Sequence, residues 1–232
     1  MKNKFALYFA NRGFFPGELI ADARKDIIKA VEDAGFEYLC MDENLTRYGA
    51  VETITEGAQY ARFLEEHRGE YDGIIMCLPN FGDENGASVA LKDVNVPILV
   101  QAYPDEIDKM DFAHRRDAFC GKIAMCNVLR QLKIPYTLTT KMCEHPLSQE
   151  FAEDLRLFAG TCRAVKGMKQ FNIGAIGART TAFKTVRCDE IAMANHRVNV
   201  ETIDLSYVFR KMEDARLFYL FILFFSLVLS FL

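Results

Sequence analysis

The 232-residue sequence contains no CxxC pair, no HExxH, no GxGxxG and no GxxxxGK[ST], so it offers no zinc knuckle, zincin helix, dinucleotide fingerprint or P-loop. Its four histidines, His67, His114, His145 and His196, lie far apart, and no Ser/His/Asp order or Cys/His pair stands out. No catalytic residue and no metal ligand is therefore assigned within the chain. Positive charge is not in excess: 28 Lys and Arg stand against 32 Asp and Glu, a net charge of −4, which gives no pull toward nucleic acid or an anionic membrane. There is no secretory hydrophobic region at the N-terminus, and the seven cysteines are odd in number and scattered. They read as reduced thiols in the cytoplasm, mostly acting as small buried hydrophobes.

What is present is a regular alternation. Short apolar runs at 5–10, 36–41, 73–78, 97–102 and 136–139 alternate with helical patterns, the mark of βαβ units on a parallel sheet. The first helix has Pro16 near its start and Gly35 as its stop. A helix over 53–67 places Ile54, Ala58, Ala61 and Leu64 on one side, and a later one carries Phe119, Ile123, Cys126 and Leu129 toward the sheet. Gly121 within it is a weak point or a point of close packing. Phe151, Leu155, Phe158, Cys162 and Val165 mark the clearest helix, which closes a first domain. A strand over 171–176, a helix over 180–196 and a strand over 198–205 then read as the opening of a second α/β domain.

In an open parallel sheet, ligands bind beyond the carboxyl ends of the strands. Those ends carry Asn11, Arg12 and Gly13, then Asp42, Glu43 and Asn44, then Asn80, Gly82, Asp83, Glu84 and Asn85, then Tyr103 and Asp105. Such a rim supplies the paired donors and acceptors that a polyol needs. The same residue types also serve as helix caps and turns, Asp83 above all. In the segment over 173–190, Arg179 follows a glycine turn and a Thr pair precedes Lys184 and Arg187, one turn apart. Arg179 and the backbone amides there could hold an anion or a sugar oxygen, or the segment is a tight turn and a solvated basic face.

The stretches NRGFFPGELI, IIMCLPNFGDENGA, VPILVQAYPDE and FNIGAIGARTTAFKTVRCDE, with VETIDLS after them, together resemble the L-fucose isomerase and L-arabinose isomerase superfamily over residues 4–208. The resemblance implies a Rossmann-like or flavodoxin-like first domain over 1–168 and an incomplete second α/β domain over 169–212. It implies aldose–ketose isomerisation through an enediol, with Mn2+ or another divalent metal on the sugar oxygens and a carboxylate moving the proton. The metal and its ligands belong to later parts of such proteins, so no cofactor is expected in this chain and the 232 residues alone are expected to be inactive. Trimers or hexamers of one chain are implied, with the residues after the first strand, here Arg12, Gly13 and Phe14, reaching the sugar. With Asn80, Asp83, Glu84 and Arg179 these complete the candidate substrate-binding set.

The run LFYLFILFFSLVLSFL over 217–232 breaks the pattern. As a helix it spans about 24 Å against a hydrocarbon core of about 30 Å, so it is short for a membrane span. Residues 213–232 are read as a hydrophobic tail left by a truncation or frameshift rather than as an anchor. The rival to the isomerase reading is a non-catalytic sugar- or anion-binding α/β domain, tethered to a membrane if the tail is genuine.

Overall fold

The computed structural model describes residues 2–177, 179 and 182–229, with side chains described as far as residue 220. The chain divides into two units, Met1–Lys166 and Gly167–Leu232.

In the first unit five strands, β1 (Lys4–Phe9), β2 (Glu37–Cys40), β3 (Gly73–Leu78), β4 (Ile98–Ala102) and β5 (Thr137–Leu138), form one parallel sheet in the order β2-β1-β3-β4-β5. They alternate with helices α1 (Leu19–Asp33), α2 (Ile54–Glu66), α3 (Glu84–Leu91), α4 (Ala118–Gln131) and α5 (Gln149–Met168). Because successive strand residues point to opposite faces, the apolar runs feed two cores at once. Ala6, Tyr8, Ile74, Met76, Ile98 and Val100 meet Tyr60, Leu64, Leu91, Met125 and Leu129 of α2, α3 and α4. Phe5, Leu7, Phe9, Ile75, Cys77 and Leu99 meet Ile20, Ile27, Val31, Phe151, Leu155 and Phe158 of α1 and α5. This is the three-layer, doubly wound arrangement expected of a flavodoxin-like domain.

Three helices expose residues that apolar spacing assigns to the core, α5 only at Val165, which is 38% exposed. In α4 the buried positions are Ala118, Gly121, Lys122, Met125, Cys126 and Leu129, while Phe119 and Ile123 are 48% and 50% exposed. In α2 they are Gly57, Tyr60 and Leu64, and Ile54 is 59% exposed. Both faces are turned by a glycine in close contact. A Cβ at Gly121 would lie 2.1 Å from the Phe81 carbonyl oxygen, and one at Gly57 would lie 2.3 Å from that of Gly86. Gly121 is thus a point of close packing.

The start of α2 is fixed by a capping box: the Thr53 hydroxyl accepts from the Glu56 amide at 3.2 Å, and the Glu56 carboxylate accepts from the Thr53 amide at 3.0 Å. α1 begins later than Pro16 implies, because a turn closing from Gly17 to Ile20 intervenes. Arg24 of α1 is buried, donates to the carbonyls of Gly49 (2.7 Å) and Met41 (3.0 Å), and so fastens the β2–α2 connection.

The second unit contains a parallel pair, β6 (Phe171–Ile176) and β7 (Val198–Ile203), with α6 (Glu190–Asn195) between them in sequence and α7 (Leu205–Leu229) after them. The helix expected over 180–196 is not continuous. A 3₁₀ turn covers Lys184–Val186, and α6 starts only at Glu190, because the Asp189 carboxylate accepts from the amides of Ile191 (3.1 Å) and Ala192 (2.9 Å). Lys184 and Arg187 therefore share no α-helical face, and the Thr180–Thr181 pair lies outside the described residues. As far as Leu229 the apolar tail is part of α7, which runs without a break from Leu205. Among the described residues no helix is long and apolar enough to cross a membrane.

Candidate functional site

In this strand order the chain reverses direction between β1 and β3, so the crevice of interest opens where those two strands end. β1 is prolonged by one residue through a parallel bridge from Ala10 to Val51, with Val51 N donating to Phe9 O (2.8 Å) and Asn11 N to Val51 O (3.1 Å). That bridge sets Glu52 beside Asn11.

A buried polar chain follows. Asn80, fully buried after β3, donates its amide to Asn11 Oδ1 at 2.6 Å, and Asn11 donates to Glu52 Oε2 at 2.7 Å. Asn80 Oδ1 accepts from Gly82 N at 3.2 Å, and Gly82 takes a positive φ of 76° that glycine adopts without strain. Buried amides and a carboxylate without partners would be costly, and here each link satisfies the next. The loops after β1 and β3 are thereby tied in register. Beneath them the Tyr8 hydroxyl is buried, which pushes its pKa well up, helped by Asp83 and then Glu56, so it stays neutral.

The outer layer is cationic and aromatic. The Arg12 guanidinium lies 4.7 Å from the Phe81 ring centroid and 5.5 Å from that of Phe14, and 3.9 Å from a Glu84 carboxylate oxygen. Phe15 stacks on Phe81 at 6.0 Å and touches Phe14 at 4.8 Å, while Phe14 is 60% exposed. Arg47 sits 3.7 Å from Glu52, and Arg116 donates to Pro79 O at 2.9 Å while lying over the Tyr103 ring. A Cβ on Gly13 would lie 2.8 Å from Glu52 Oε1, so the loop after β1 passes close to this carboxylate, whose flexible end would have to shift to admit a larger residue.

Six of the seven sequence-derived site residues thus fall at one end of the sheet. Arg12, Phe14 and Glu84 present groups outward. Gly13 clears the way for Glu52. Asn80 is engaged within the fold, and the Asp83 carboxylate caps α3 by accepting from Gly86 N at 2.7 Å. Arg179 belongs to the second unit, where it pairs with Glu190 at 2.7 Å. Glu52, Arg47 and Arg116 were not singled out by the sequence. Glu52 carries a signal in retrospect, because it immediately precedes the Thr53–Glu56 capping box. Among the described residues no group of three or more His, Cys, Asp or Glu side chains is placed to hold a metal ion.

A doubly wound sheet with an aromatic, hydrogen-bonding rim at its reversal point is an α/β domain of Rossmann or flavodoxin type. Residues 6–169 match the family described as fucose/sulfoquinovose isomerase, N-terminal domain, and the chain belongs to that family. No curated protein matches the chain.

Proposed function

We propose that this chain is the sugar-contacting N-terminal portion of an aldose–ketose isomerase, and that its rim closes over a neutral sugar. The observation that supports this most is the meeting of Arg12, Phe14 and Glu84 at the sheet's reversal point in a chain of this family. Arg12 donates to a sugar oxygen, Glu84 accepts from a hydroxyl, and Phe14 covers an apolar C–H face. Asn80 and Asp83 act one step back, holding the loop after β3, and Gly13 lets the loop after β1 approach. Within the second unit, and independently of the rim, Arg179 is a candidate donor to a sugar oxygen. Pairing of Arg12 with Glu84 and of Arg47 with Glu52 favours an uncharged ligand over an anion at the rim.

In the same reading the protein assembles as a trimer or hexamer in the cytoplasm, residues 169–212 open a second α/β domain, and 213–232 form a tail. A divalent metal such as Mn2+, when bound in such an isomerase, polarises the sugar carbonyl. The described residues do not provide a cluster suited to it, so none of this chain's residues is given a metal-borne step. The 232 residues alone then contribute binding and orientation without turnover. The test is an isomerase assay of the purified chain with a panel of aldoses and added Mn2+. No turnover and weak, millimolar sugar affinity are expected. Turnover would overturn the inactivity, and micromolar affinity for an anion would favour a sensor over an isomerase portion.

A further inference from the structure

A second cluster of ionisable groups lies where β4 and β5 end, and the rim does not use it. Lys122 of α4 is fully buried, and its ammonium donates to the Thr139 hydroxyl at 2.6 Å, which in turn donates to Lys141 O at 2.7 Å. Asp154 of α5, 6% exposed, accepts from both the amide (2.6 Å) and the hydroxyl (2.7 Å) of Thr140. Glu144, 4% exposed, lies within hydrogen-bond reach of Asp154, yet neither of its oxygens receives a donor. The Gln101 amide from β4 donates to Glu144 O at 2.7 Å, and Glu144 N donates to Ala102 O at 3.0 Å, so this residue joins β4 to the segment over 139–148.

Two carboxylates cannot bond to each other unless one carries a proton. Thr140 already supplies both Asp154 oxygens with donors, so the proton belongs on Glu144. We propose that Glu144 holds a proton that it donates to Asp154, and that this shared proton fastens the 139–148 segment to α5. Burial first, and Asp154 second, push the Glu144 carboxyl up to about 7, with Lys122 opposing. The charged and titratable groups facing it are Asp154 and Glu150 from α5, Lys122 from α4 and Lys141 within the segment, with Cys126 and Cys143 beside Lys122; β4 contributes the neutral Gln101. Glu150 is itself paired with Lys141. A folded value raised above the unfolded one means that the fastening is fully present in acid, below the unfolded pKa, and is lost as pH rises through about 7. The segment leaves the same end of the sheet as the rim, so pH would set its order there.

The test follows the Glu144 side-chain carboxyl by carbon NMR in the full 232-residue chain from pH 5 to 9, with amide protection factors over 140–147. Glu144 should titrate near 7, and protection of the segment should fall roughly 10-fold relative to the rest of the sheet between pH 6 and 8. In Glu144→Gln, whose amide donates to Asp154 at every pH, protection should stay constant within about 2-fold over that interval. A Glu144 midpoint below about 5 would overturn the proposal. So would loss of protection in Glu144→Gln at pH 6 and 8 alike, which would make Glu144 the ionised partner of Lys122. If the variant does not fold, the carboxyl titration of the unsubstituted chain decides.

Discussion

At Gly121 a helix rests directly on backbone: the Phe81 carbonyl oxygen, α carbon and carbonyl carbon all lie within 2.7 Å of where a Cβ would be. No rotamer relieves such a contact, so Gly121→Ala must push α4 away from the loop after β3. The expected loss of stability is about 1–3 kcal/mol, despite the better helix propensity of alanine, read as a lower urea midpoint at unchanged m. Glu52 makes the opposite kind of contribution. Glu52→Ala strands the Asn11 amide behind the rim and should cost about 1–3 kcal/mol, whereas Glu52→Gln keeps an acceptor and should cost less than about 1 kcal/mol. Equal losses for both variants would show that the Asn80–Asn11–Glu52 chain does not hold the loops. These residues were hard to read from the sequence for a shared reason. Glycine contributes nothing to hydrophobic periodicity, so Gly57 and Gly121 turn their helices to faces that apolar spacing does not favour. Glu52 meets Asn11 across 41 residues, through a one-residue bridge that has no local pattern.

At the scale of elements, the strands were legible because each is a short apolar run bounded by helices, and β3 and β6 match their expected spans residue for residue. Helix starts were legible where a cap is explicit, as at Thr53 and Asp83, and misread where a cap interrupts a periodic run, as at Asp189. The closing helix α5 is tied to the start of β1 by charge. Asp72 accepts from Lys166 (2.7 Å), Asn3 (3.1 Å) and Lys4 N (3.2 Å), while Arg163 donates to Asn3 Oδ1 (2.8 Å). Burial pushes the Asp72 carboxyl up, but the bonds from Lys166, the Lys4 amide and Asn3 outweigh it and hold the pKa below the usual value. A depressed folded value gives stability that is present above the unfolded pKa of about 3.9 and lost as pH falls through the folded one. Asp72→Asn should therefore lower the melting temperature at pH 7 and flatten the acid limb of the melting profile below about pH 4. An unchanged acid limb would remove Asp72 from the groups that set it.

For the molecule as a whole, fold class was the most legible property, since parallel βα alternation admits few arrangements. The rim was legible as a location, because every loop that follows a strand in such a sheet emerges at one end. Which rim residues face outward was not, because Asn80 and Arg12 look equally polar in sequence and are separated by burial alone: Asn80 is enclosed, while the Arg12 side chain is 33% exposed. The second unit is a different case. Parallel sheets are ordinarily covered on both faces, yet β6 and β7 leave Ile176 63% and Phe171 42% exposed.

The central claim is that a neutral sugar meets the rim where β1 and β3 end. The direct measurement is a titration of the 15N-labelled chain with L-fucose, followed by backbone amide shifts, with Arg12→Ala as the control. Saturable shifts at Arg12, Gly13, Phe14, Gly82, Asp83 and Glu84 that disappear in Arg12→Ala are predicted. Shifts confined to other parts of the chain, or none at the rim while the fold stays intact, would contradict it.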